Sequence, residues 1–283
     1  MDLVTGGSGF IGSRLVVALK ESGRPVRVLS RGSKFGADVL IGDLNDLNSL
    51  RRALDGVSCV FHCGGFAHAF SSLGQSDAAI HWQVNFEGTQ NLIDAAAQAG
   101  VKRFVFLSSV KAMAEPGLVC ADEDFPGSPE TDYGRAKRAA EQTVLETGKL
   151  CGMHVVNLRL AMVYGAGGRG DLERMARLVR RGLFPPLPET GNHRSLVHVD
   201  DVVAAMRLVA EDDRANGRTY IVASPEAPSG RQLYDSLRTA LGMPVRSWAV
   251  PAAALRFAGC IGDGVEAITG RRLPLDSEVL GRL

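Results

Sequence analysis

Residues 3–23 read "LVTGGSGFIGSRLVVALKESG", and the glycines in this stretch decide the fold. The apolar start reads as a buried strand, and an amphipathic helix is expected from about Phe10 to Glu21. Between them, Gly6, Gly9 and Gly12 satisfy G-x-x-G-x-x-G, and Gly7, Gly9 and Gly12 satisfy G-x-G-x-x-G. Glycine costs backbone entropy, so this density implies a tight turn or a close approach. A strand before the glycines and a helix after them is the setting that lets a pyrophosphate reach the first helical amides, Phe10 and Ile11 included, at the positive end of the helix dipole. A flexible Gly/Ser turn is the competing interpretation, and the flanking elements disfavour it. No G-x-x-x-x-G-K-[ST] is present, which disfavours a P-loop nucleotide hydrolase or kinase.

Outward from this loop, short apolar runs alternate with helical stretches: "VRVLS", "SLRRALDG", "CVFHC", a helix from about His81 to Gln98, "RFVFLSS", "DYGRAKRAAEQTVLE" and "HVVNLRL". Fully apolar strands separated by helices predict βαβ units and a doubly wound parallel α/β sheet of the Rossmann type. After Tyr164 the composition changes to the glycine- and proline-rich "GAGGRGD" and "LFPPLPETGNHRS". The expected division is a dinucleotide-binding core over 1–164, completed by about 196–224. A smaller, mainly helical substrate lobe is expected from 165–195 and 225–283.

The chain has 283 residues, a formal net charge of +1 and 45% hydrophobic residues. Near-neutrality argues against a bulk electrostatic grip on nucleic acid or an anionic membrane. Five cysteines without a CxxC pair imply reduced thiols and a cytoplasmic, soluble protein. "AVPAAALRFAGCI" is too short and too interrupted to span a bilayer. Cys59, His62, Cys63 and His68 are close in sequence, but strand alternation sends such side chains to opposite faces, so no metal site is expected.

Ser30 and Arg31 end the second strand, where NAD-specific sites carry an acid for the ribose hydroxyls. A cation there, with Lys34 nearby, suits a 2′-phosphate, so NADP(H) is favoured and NAD(H) remains possible. Tyr133 and Lys137 share a helix face, and the ammonium is expected to pull the phenol's pKa down toward the working range. Ser109 ends "RFVFLSS" at the carboxyl edge of the sheet, where parallel sheets bind ligands.

In "TGGSGFIG", "GDLND", "VNFEGTQNLIDAA", "FVFLSS", "YGRAK", "LRLAMVYG" and "RSLVHVDDV", taken in order, the chain resembles the extended short-chain dehydrogenases/reductases, the NAD-dependent epimerase/dehydratase family. The resemblance implies a catalytic set of Ser109, Tyr133 and Lys137. It also places Asp43 and Leu44 beside the adenine, Lys137 on the nicotinamide ribose, and Cys63, Gly64 and Gly65 where the family usually has "LAA". Val110 and Lys111 stand where 4,6-dehydratases have an Asp-Glu pair, which disfavours dehydration. Met162 replaces an asparagine used by UDP-galactose 4-epimerases. Arg194 matches the arginine that UDP-sugar members set against the diphosphate. Arg194, Arg169, Lys111 and Met162 are therefore the expected substrate contacts.

The expected activity is NAD(P)-dependent hydride transfer at C4 of a nucleotide sugar, UDP-linked, with 4-keto reduction ahead of 4-epimerisation. Two alternatives stand beside it. One is a reductase of a hydrophobic ketone, of the 3β-hydroxysteroid or dihydroflavonol type, with an apolar pocket around Phe184–Leu187 and Leu255. The other is a non-catalytic dinucleotide sensor. Family members commonly form homodimers through two helices, here at about 85–98 and 133–147.

Overall fold

The alternation of strands and helices is realised in a computed structural model, which describes residues 1–32, 38–66, 75–117, 119–168, 170–255 and 257. Strands β1 (Asp2–Thr5), β2 (Val26–Ser30), β3 (Val39–Ile41), β4 (Cys59–His62), β5 (Arg103–Ser109), β6 (His154–Leu160) and β9 (Arg218–Val222) form one sheet in the order β3-β2-β1-β4-β5-β6-β9. Every pairing in it is parallel. Two short strands, β7 (Met162–Tyr164) and β8 (Leu196–His198), pair separately.

The order reverses between β1 and β4, so the chain leaves this point in both directions and opens a crevice at the carboxyl edge. Thr5 lies opposite His62 in that register, at the lip of the crevice.

Alternation along each strand divides the core. Val4, Phe61, Val105 and Val156 face one layer with Leu15 and Leu19 of α1 (Phe10–Glu21) and Val202 and Met206 of α7 (Val199–Glu211). Leu3, Val60, Phe104 and Val155 face the other layer. There they meet α2 (Leu47–Leu54), α4 (Gly88–Gln98) and α5 (Asp132–Cys151) through Leu50, Leu92, Ile93 and Val144. Sheets covered on both sides need such uninterrupted apolar runs.

The single helix expected over His81–Gln98 is divided. Gln75–His81 is α3, Trp82–Glu87 is a π-helical turn, and α4 follows. The wider turn carries Asn85 into the interior, where it is fully buried.

The chain separates into two compact units: Met1–Gly167 with Val197–Ala223, and residues 168–196 with Ser224 onward. The second contains α6 (Asp171–Arg180) and α8 (Gly230–Ala240), the latter opened by a capping box between Ser229 and Gln232. Its interior includes Met175, Val179, Phe184, Leu187, Tyr234 and Leu255. Among the described residues, no helix is long and apolar enough to cross a membrane.

Candidate active site

The glycine loop is packed against itself and against the exit of β4. Gly6 has φ +66°, and a methyl there would meet the Gly64 nitrogen at 2.6 Å. One at Gly12 would lie 2.3 Å from the Gly6 carbonyl oxygen, and one at Gly9 would lie 3.1 Å from that same oxygen. The Gly9 amide donates to that oxygen at 2.8 Å, closing the turn before α1. Beside the loop lies a cavity of about 460 Å³. Its walls include Gly6, Gly9, Ser30, Arg31, Asp43, Leu44, Cys63, Gly64 and Gly65, so these residues expected from the sequence converge here. Phe10, Ile11 and Gly12 form the first turn of α1. The cradle that added methyls would fill, together with the carboxylate and loop at Asp43–Asn45, fits a dinucleotide. Asn45, Ile80, Gln83 and Val84 also line it and were not singled out in the sequence. Lys34 lies outside the described residues.

Ser109 ends β5; its hydroxyl accepts from the Lys111 amide at 3.2 Å and acts on the Tyr133 phenol to lower its pKa. Lys137 is buried one turn along α5, donating to the Leu107 carbonyl at 2.9 Å with its ammonium 4.5 Å above the Phe106 ring. A methyl at Gly65 would lie 3.4 Å from Lys137 Nζ, so the ammonium sits behind the cavity wall. The electrostatic expectation needs correcting. Burial raises the Tyr133 pKa, and the group that pulls it down is Ser109 rather than Lys137. Burial lowers Lys137 to about 8 despite the opposing charge of Glu141.

Two features that bring this pair together escaped the sequence reading. Thr131 caps α5 by accepting from the Gly134 amide at 3.0 Å. A methyl at Gly134 would lie 2.1 Å from the Lys111 carbonyl oxygen, so glycine lets α5 touch the turn that follows Ser109. Asn85 clamps the cavity rim: its Oδ1 accepts from the Phe66 amide at 2.8 Å and its Nδ2 donates to the Phe66 carbonyl at 2.9 Å. His81, buried, sets its ring edge-on to Tyr133 at 5.6 Å. "VNFEGTQNLIDAA" held the signal for Asn85, but helical periodicity does not reveal a π turn.

The described residues expected to contact substrate, Lys111, Met162 and Arg194, are outside the lining of this cavity. Lys111 is paired with Glu115 at 2.7 Å, and Met162 is half-buried in β7. Arg194 belongs to the second unit, where its amide donates to the Pro228 carbonyl at 3.0 Å. Arg169 lies outside the described residues, as does His68. His62 turns its nitrogens to Thr5 and Thr89.

Residues 3–223 match the NAD-dependent epimerase/dehydratase family model. A UDP-glucose 4-epimerase of Vibrio cholerae is 31% identical over 280 residues, covering 95% of this chain and 85% of that one. A 3β-hydroxysteroid dehydrogenase/Δ5→4-isomerase of Mycobacterium tuberculosis is 29% identical over 79% of this chain and 65% of its own length. The solved structure of MoeE5 with UDP-glucose and NAD is 31% identical, with a TM-score of 0.74 over 86% of this chain and 83% of that one.

Proposed function

From the premise that this chain belongs to the NAD-dependent epimerase/dehydratase family, we propose that it is an NAD(H)-dependent enzyme acting at C4 of a UDP-hexose, with epimerisation as its reaction. The observation that carries this reading is Lys137, whose ammonium lies directly behind Gly65 of the glycine-lined cavity, one helical turn along α5 from Tyr133, the phenol that Ser109 acts on. The similarity to the Vibrio cholerae epimerase and to MoeE5 with its bound NAD and UDP-glucose moves epimerisation ahead of 4-keto reduction.

The Gly6–Gly12 loop would hold the pyrophosphate, and Asp43 and Leu44 the adenosine end. Bound there, NAD(H) supplies or accepts the hydride. Tyr133 exchanges a proton with the C4 oxygen at its phenolic oxygen, and its raised pKa keeps it ready as a donor. Ser109 donates to the same oxygen as negative charge develops. Lys137 places a cation behind both. Arg31, on the cavity wall, is the residue that would receive a 2′-phosphate, and it supports acceptance of NADPH as well.

The test is to denature the purified protein, identify any released dinucleotide by mass, and incubate the native protein with UDP-glucose or UDP-galactose. Retained NAD and formation of the C4 epimer are the expected results. An empty site with preference for NADPH, lost in Arg31→Ala, would replace this reading with 4-keto reduction. The steroid reading has the Mycobacterium tuberculosis relative in its favour. Against it, Phe184, Leu187 and Leu255 are buried and Phe184 is stacked on Tyr234, so these side chains are already covered. Oxidation of a 3β-hydroxysteroid with NAD tests it directly.

A further inference from the structure

Behind the cavity wall runs a chain of hydrogen bonds that the reaction scheme does not use. Thr5 Oγ1 lies 2.6 Å from His62 Nδ1, and His62 Nε2 lies 3.0 Å from Thr89 Oγ1. Thr89 Oγ1 donates to the Asn85 carbonyl at 2.8 Å, and the Gly64 amide donates to Thr5 Oγ1 at 3.3 Å.

The chemistry of the two ends sets the direction of every bond between them. The Asn85 carbonyl can only accept, so the Thr89 proton is committed to it. Thr89 must then accept from Nε2–H, which leaves Nδ1 bare to accept from the Thr5 hydroxyl. Thr5 in turn has a lone pair free for the Gly64 amide. A proton on Nδ1 would oppose the Thr5 donor. His62 is fully buried and stacked on Phe106 at 5.5 Å, the ring that also carries the Lys137 ammonium. Lys137 is the charged group facing it, and burial first, then Lys137, lowers its pKa to about 3.

Both ends of the chain hold the segment that leaves β4. Gly64 is tied through Thr5, and Asn85 grips Phe66 at its amide and its carbonyl. Cys63, Gly64 and Gly65 between them are cavity wall. We propose that His62, held as the Nε2–H tautomer by Thr89 and Thr5, is a positioning residue that couples the π-helical turn at Asn85 to the Gly64–Gly65 wall and so sets dinucleotide affinity. This rests on the reading that the cavity takes NAD(H).

The experiment uses the full chain and Thr5→Val, Thr89→Val and the double variant. NADH affinity is measured by fluorescence on protein stripped of any retained dinucleotide, unfolding midpoints by denaturant, and imidazole nitrogen resonances on histidine-labelled protein. Thr89 does not line the cavity, so a loss of affinity there must be transmitted. The expected result is NADH binding weakened about threefold to tenfold in each single variant. The double variant should be no weaker than the worse single, as one connected chain requires. The resonance that moves in both single variants should belong to an Nε2–H imidazole that does not titrate between about pH 5 and pH 9. Lower stability with unchanged NADH affinity in Thr89→Val, or an Nδ1–H or titrating imidazole, overturns the proposal. Failure of the wild-type chain to bind NADH overturns the cofactor reading instead, and this affinity role falls with it.

Discussion

Tyr133, Ser109 and Lys137 divide the chemistry by environment. Tyr133→Phe keeps the ring packed against His81 and removes only the hydroxyl. Turnover is expected to fall about 10²–10⁴-fold with NADH affinity unchanged, read by comparing kcat with a direct titration. Ser109→Ala should cost less, about 10–10³-fold, because Tyr133 remains. Lys137 makes a prediction about stability. Its folded pKa of about 8 is below the ordinary 10.5, so between these values the unfolded chain binds more protons. Stability therefore rises with pH across this window, and that gain is lost as pH falls toward 8. Burial also raises Cys59 and Cys63 to about 12, which lowers stability as pH rises through the same window. The Lys137 contribution is therefore read as a difference: between about pH 8 and about pH 9.5 the wild-type chain should gain up to about 2 kcal/mol relative to Lys137→Met in denaturant unfolding. A wild-type slope equal to that of the variant would show Lys137 to be ordinarily solvated.

At the scale of elements, the strands and the glycine loop were legible because their physical causes are local. Apolar runs bounded by turns, and glycines where a Cβ has no room, are printed in the chain itself. The π-helical turn was not legible, since Trp82–Glu87 reads as an ordinary helical repeat and its extra residue is set by what Asn85 must reach. The role of Gly134 was equally hidden: glycine inside a helix reads as a weak helix former until the Lys111 carbonyl is seen 2.1 Å from its absent methyl. Gly134→Ala should therefore push α5 away from the turn after Ser109 and lower kcat, even though the change itself favours the helix. In the loop, Gly12→Ala and Gly6→Ala confront backbone and should abolish NADH binding. Gly9→Ala, with its 3.1 Å contact, should only weaken it. Equal losses at all these positions would mean that the loop responds to any added side chain and that Cβ space does not rank them.

At the scale of the whole molecule, a buried ion pair links the site to the stability of the first unit. Arg159 grips Glu141 through Nε at 3.0 Å and Nη2 at 2.8 Å, with both side chains at 5% exposure or less. Ser108 donates to the same carboxylate at 2.6 Å, and Arg159 Nη1 reaches the Glu123 carbonyl at 2.9 Å, joining β5, β6 and α5. The sequence conceals this, because Glu141 sits among charged residues of a helix and Arg159 interrupts an apolar strand without naming a partner. Glu141 also raises the Lys137 pKa against the effect of burial. Glu141→Gln strands a buried guanidinium and should cost about 3–5 kcal/mol in denaturant unfolding. Glu141→Leu with Arg159→Met removes both charges and should recover part of that loss. In either case Lys137 loses the charge that supports its protonated form, so its titration should move below about 8. The stability rise with pH should then begin earlier than in the wild-type chain. If the double substitution restores stability while Lys137 titrates as before, the pair is purely structural. If the Lys137 titration moves, the pair sets the charge behind Tyr133 as well as holding the sheet to α5.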